Sequence, residues 1–111
     1  MMLRTLLFVL AAFSMTPAGA QTYLSTMTTA DLVQACNRPR QELAMDFCTG
    51  YILGVYDALS LSREMCPRES SAATLQAVAI ARKYLNDHPE LWDRAPPYLL
   101  ATAFKQAFPC G

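Results

Sequence analysis

The residues of this 111-residue chain best suited to chemistry are its four cysteines, Cys36, Cys48, Cys66 and Cys110. A cysteine can act as a nucleophile, hold a metal or pair with another, and the redox compartment decides which. The amino-terminal residues bear on that choice. Arg4 is followed by an apolar run from Leu6 to Phe13, then Pro17, then Ala18-Gly19-Ala20, a small-x-small pattern that a signal peptidase accepts. The run is far shorter than the roughly 20 apolar residues a bilayer span requires. Met1–Ala20 therefore reads as a cleaved signal peptide, and residues 21–111 as one small domain released into an oxidising compartment. No cysteine follows the cleavage point, which argues against a lipid anchor there.

Four cysteines allow three pairings. Cys36–Cys48 and Cys66–Cys110 are favoured: the first staples a helix to its successor across a turn, and the second fastens the carboxyl end to an internal joint. In the chain-entropy picture each contributes very roughly 3–4 kcal/mol. That is a large share of the 5–15 kcal/mol typical of a whole domain. The competing reading, a zinc site with His88 as a further ligand, lacks any C-x-x-C spacing.

His88 is the sole histidine, and no serine lies in a nucleophile-elbow pattern. Its place before Pro89, where a helix should end, suits capping of terminal carbonyls. Asp46 and Asp57 share a face but lie roughly 16 Å apart at 1.5 Å per helical residue, too far for a glycosidase-type pair. No catalytic residue, metal site or cofactor is therefore assigned. The segment His88–Arg94 holds the only tryptophan, and Trp and Arg are favoured interface anchors. Glu90, Trp92, Arg94 and, in a second charged joint, Arg68 are the candidate partner-binding residues. The alternative for Trp92 is that it folds back over the core.

Nine basic and nine acidic residues balance, and loss of Arg4 leaves a single net negative charge. Without a basic cluster, nucleic acid is disfavoured as a partner. No segment of the mature chain reads as a membrane span.

The elements that position these residues read as helices. No stretch alternates cleanly, and no Asn-Gly or Asp-Gly hairpin turn occurs. Thr28-Thr29-Ala30-Asp31 resembles a capping box opening a first helix with Leu32, Val33 and Cys36; Pro39 ends it. A second helix is expected from Arg40 to Ser62, with Leu43, Phe47, Gly50, Gly54, Ala58 and Leu61 inward. Ala44, Cys48, Tyr51, Val55 and Leu59 form a flanking stripe. Gly50 and Gly54 each cost up to about 1 kcal/mol of helix propensity, which suggests close approach by another helix. Leu53 and Tyr56 interrupt the outer face and form a candidate dimer patch. A third helix spans Ala72 to about Asn86, with Leu75, Val78, Ala79 and Leu85 inward and Ala77, Ile80 and Tyr84 alongside. Pro96-Pro97 opens a fourth, burying Leu99, Leu100, Ala103, Phe104, Ala107 and Phe108. The fold class is thus all-α, a small bundle of four to five helices stapled by two disulfides.

Several of these elements, in this order, resemble the Rap/Tai family. They are Leu32 with Cys36, Cys48-Thr49-Gly50-Tyr51 with Gly54 and Asp57, Cys66-Pro67, Lys83-Tyr84-Leu85 with His88-Pro89-Glu90, and Ala107-Phe108-Pro109-Cys110. The resemblance covers nearly the whole mature chain, from about Thr28 to Cys110. It implies a periplasmic, disulfide-bonded, all-helical immunity protein associated with type VI secretion, one that binds and blocks a peptidoglycan amidase effector. Homodimers occur among such relatives. The matching residues are mainly cysteines, glycines and core groups, so they carry fold and leave specificity open. A different reading, prompted by Leu53, Tyr56 and Ile80, is a periplasmic chaperone or envelope accessory protein with an apolar client surface.

Overall fold

A computed structural model describes residues 24–38, 46–68 and 71–111; the expected signal segment lies outside them. Four α-helices and no strand occur among the described residues: α1 (Thr29–Cys36), α2 (Phe47–Leu61), α3 (Ser71–Asp87) and α4 (Pro96–Ala107). A single 3₁₀ turn, Pro89–Leu91, joins α3 to α4. None of these helices is long and apolar enough to cross a membrane.

Both favoured disulfides are present, Cys36–Cys48 and Cys66–Cys110. The first fixes the carboxyl end of α1 against the first turn of α2. The second ties the joint after α2 to the tail after α4, where the Cys66 N–H also donates to the Phe108 carbonyl at 2.9 Å. A Lys105–Glu64 ion pair at 3.5 Å closes the same end. The carboxyl ends of α2 and α4 therefore lie together.

The core is formed by Leu32, Val33, Ile52, Leu59, Met65, Ala77, Val78, Ala81, Leu85, Leu99, Leu100 and Phe104 around the buried Cys36–Cys48 bridge. The expected lining of α1 and α4 is observed, except that Ala107 is exposed. α2 and α3 require correction. α2 begins at Phe47, not Arg40, because Asp46 is its N-cap: extended backbone, with the carboxylate accepting the Thr49 N–H at 2.8 Å. The part of the expected helix over 40–45 lies outside the described residues.

The inward stripe of α2 is Cys48, Ile52 and Leu59, helped by Tyr51, Val55, Leu53 and Tyr56. The stripe expected inward faces out instead: Phe47 is 60% and Leu61 85% exposed, and Gly54 and Ala58 are exposed. Leu53 and Tyr56, expected outward, are half-buried, and the Tyr56 ring sits edge-on to Phe104 and Phe108 at 5.5 and 5.9 Å. A Cβ built on Gly54 would meet nothing within 4 Å, so none of the described helices approaches it closely. The reason is that α2 is apolar nearly all round, with Asp57 its only charged residue. Periodicity then fails to say which face is covered. On α3, Leu75 (78% exposed) and Ala79 also point outward, and Ala77 and Ala81 take the inner positions.

Candidate functional site

The connection from His88 to Ala95 is rigid because its polar groups saturate two helix ends at once. At the carboxyl end of α3, the His88 ring donates from Nδ1 to the Tyr84 carbonyl at 2.7 Å and stacks on the Tyr84 ring. The Trp92 indole N–H donates to the Leu85 carbonyl, also at 2.7 Å. The last turn of a helix leaves carbonyls without partners, and here two ring donors fill that role. At the amino end of α1, Thr29 and Ala30 donate their N–H groups to the Arg94 and Trp92 carbonyls at 2.8 and 3.0 Å. The buried Thr29 hydroxyl adds a second bond to Arg94, at 2.8 Å. Thr28 and Asp31 complete the first turn as the expected capping box. The Thr28 N–H and hydroxyl, in that order of effect, hold the Asp31 carboxyl below its ordinary 3.8.

Trp92 is thus half-buried and engaged within the fold, which is the folding-back alternative. Glu90 and Arg94 on the same connection are exposed. Arg68 is exposed too, but it precedes α3 whereas the others follow it, and a 17-residue helix spans about 25 Å. The four candidates accordingly fall at two ends of the bundle, with Glu90, Trp92 and Arg94 together and Arg68 apart.

Sequence reasoning missed Arg82. Its guanidinium donates to the Cys36 carbonyl and lies 3.8 Å from the Cys48 sulfur. It provides the cation that α1 lacks in its own last turn. No local pattern announces this, since the two positions are 46 residues apart. Every cysteine is bonded in a disulfide, which leaves no thiol for nucleophilic work.

A surface groove of about 700 Å³ runs between α2 and α4. Its lining includes Gly50, Tyr51, Gly54 and Ala58 from α2 and Tyr98 and Ala101 from α4. Burial raises the Tyr51 hydroxyl above its usual value, partly offset by a hydrogen bond with Ser25. Glu64 lies at one end, its carboxyl held below the usual range by the Ser62 hydroxyl and then by Lys105. A smaller groove, 320 Å³, lies between α3 and α4 beside Tyr84 and Gln106.

Fold and site together define a small all-helical protein, doubly cross-linked, in which the His88, Trp92 and Thr29 side chains bind at helix ends while Glu90 and Arg94 are exposed. A family model of Rap1a immunity proteins matches residues 28–110, and the chain belongs to that family. Membership makes it an immunity protein, which acts by binding a protein effector. No curated protein and no solved structure matches the chain.

Proposed function

We propose that this chain is an exported immunity protein that binds and blocks a peptidoglycan amidase effector in the periplasm, without catalysis of its own. The observation that carries the reading is the family match across residues 28–110. Supporting it, two disulfides suit an oxidising compartment, and Met1–Ala20 has the pattern of the export signal that would deliver the chain there. Residues 21–111 act as a single domain. Inhibition of this kind requires only that a stiff part of the surface cover the enzyme's cleft so that the cell-wall peptide cannot enter. The α3–α4 connection is suited to it: Trp92 and His88 brace it from inside, and Glu90 and Arg94 project from it. A surface that is already ordered loses little conformational entropy on binding.

The test is co-expression with the amidases encoded beside it, reading complex formation by calorimetry and protection from lysis. One such amidase is expected to bind at nanomolar affinity and to lose its lytic effect. Charge reversal by Arg94→Glu is expected to weaken that complex at least about tenfold, as for a central interface arginine. Arg68→Glu, at the far end, tests whether that residue shares the contact. Absence of binding and of protection across all neighbouring amidases overturns the proposal.

A further inference from the structure

The two bridges join cysteines that are neighbours in sequence, the first to the second and the third to the fourth. Little in an open chain enforces that choice. Loop closure falls off with about the −3/2 power of length. The Cys48–Cys66 closure, half as long again as the 12 residues from Cys36 to Cys48, should therefore still occur about half as often. A chain that makes it can return to the native pairing only by thiol–disulfide exchange.

The structure sets α2 between those two cysteines. Cys48 stands in its first turn and Cys66 lies beyond its last. At 1.5 Å per residue, Leu59 is roughly 16 Å along the helix from Cys48. The Ser62 N–H donates to the Ala58 carbonyl and the Glu64 N–H to the Leu59 carbonyl, so the chain is tied to the helix end as far as Glu64. Only Met65 separates Glu64 from Cys66, and the step to Cys66 reaches back about 7 Å at most. About 9 Å or more then remains between the Cys48 and Cys66 α-carbons, where a disulfide needs less than about 7 Å. The native pairs stand at 4.9 and 4.8 Å. Helices form within about a microsecond and disulfides over seconds or longer, so α2, capped by Asp46 at its start, precedes the commitment of the thiols.

We propose that α2 is the spacer that sets the pairing, and that the chain therefore takes both bridges from a protein dithiol oxidase with no need of an isomerase. In each oxidation one cysteine thiolate attacks the oxidase disulfide, and the second cysteine displaces the oxidase from the mixed disulfide so formed. Two electrons and two protons pass from the cysteine pair to the oxidase, which leaves as a dithiol. Once Cys36–Cys48 is closed, Cys66 and Cys110 have only each other as partners. The cellular setting of this inference rests on the export proposed above; the pairing argument does not, and it is independent of the effector.

The test oxidises the reduced protein with oxidised glutathione, blocks the remaining thiols with an alkylating agent at early times and maps the one-bridge species by peptide mass analysis. In concentrated urea, where α2 is melted, about one Cys48–Cys66 species is expected for every two of Cys36–Cys48, as chain statistics give. In buffer that ratio should fall by about fivefold or more, because the helix holds the pair beyond bonding distance. Gly54→Ala strengthens the helix, and its added methyl meets nothing, so the low ratio should persist. Gly54→Pro breaks the helix and should restore the urea ratio in buffer, a reading taken before folding is complete. A protein disulfide isomerase added to the parent in buffer should leave the yield of native pairing unchanged. An equal ratio in urea and buffer, a Gly54→Ala variant that loses the low ratio, a Gly54→Pro variant that keeps it, or a native yield that rises severalfold with isomerase overturns the proposal.

Discussion

Arg63 closes α2 in the left-handed region, at φ 57, where helices commonly end on glycine. The geometry is a Schellman motif: the Arg63 N–H donates to the Ser60 carbonyl at 3.2 Å and the Glu64 N–H to Leu59 at 3.0 Å. A side chain in that conformation is strained by about 1–2 kcal/mol, partly offset by the greater freedom glycine has when unfolded. Arg63→Gly is therefore expected to stabilise the protein by roughly 0.5–1 kcal/mol. Urea denaturation checks this, the midpoint rising while the slope stays constant. An unchanged midpoint would show that the arginine side chain returns as much stability as its backbone strain removes. Trp92 and His88 show the same economy of placement, each ring N–H terminating α3 while the ring itself stiffens the connection.

At the scale of the element, α1 is the least self-sufficient part of the described fold. Its eight residues fall below the roughly 12–15 that sustain an isolated helix in water. It is held from both ends instead: by the capping box and the Arg94 and Trp92 carbonyls at one, by Arg82 and the Cys36–Cys48 bridge at the other. The cap is pH-dependent. Because the folded-state pKa of Asp31 lies below its unfolded value, its stabilisation is complete above that unfolded value and is lost as pH falls through the folded one. Glu64 shifts in the same direction and adds to the acid loss. Thermal melts between pH 6 and about pH 2 should accordingly show a steeper fall in the parent protein than in Asp31→Ala, which has already forfeited the cap. Parallel curves would mean that Asp31 is no stronger an acceptor in the folded protein than in the unfolded chain.

Across the whole molecule, the two disulfides differ in access and in the length of chain they close. Cys36–Cys48 is buried and spans 12 residues; Cys66 and Cys110 are exposed and span 44. In the chain-entropy model the shorter loop contributes about 3 kcal/mol and the longer about 4 kcal/mol. Thiol exchange requires an attacking thiolate to reach a sulfur, so the more stabilising bridge is also the more vulnerable one. Limited treatment with a dithiol, followed by alkylation and mass analysis, is expected to label Cys66 and Cys110 before Cys36 and Cys48. The melting temperature of that half-reduced form should drop by more than ten degrees, since a kcal/mol shifts a domain of this size by about 4–8 °C. Simultaneous labelling of all four would mean that opening is global.

Features whose physics is local were legible from the residues alone. The Thr28–Asp31 cap, the proline-opened α4, the His88 stop and an all-helical fold each depend on neighbours within a turn or two, and so does the short Cys36–Cys48 closure. Facing was not legible wherever a helix is apolar on several sides: periodicity identified two stripes on α2, whereas packing buried Cys48 and Leu59 of the second together with Ile52, which neither held, and turned Tyr56 from the expected outer face onto Phe104 and Phe108. Arg82 on the Cys36 carbonyl and Arg94 on Thr29 escaped notice for a related reason, since they join positions 46 and 65 residues apart. The amino-acid sequence by itself thus determined the helical class of the elements, the short Cys36–Cys48 bridge and the family resemblance, because those follow from residue type and short spacing. Which surfaces remain open for a partner is a property of the packed bundle, decided only when the helices compete to bury the same limited core.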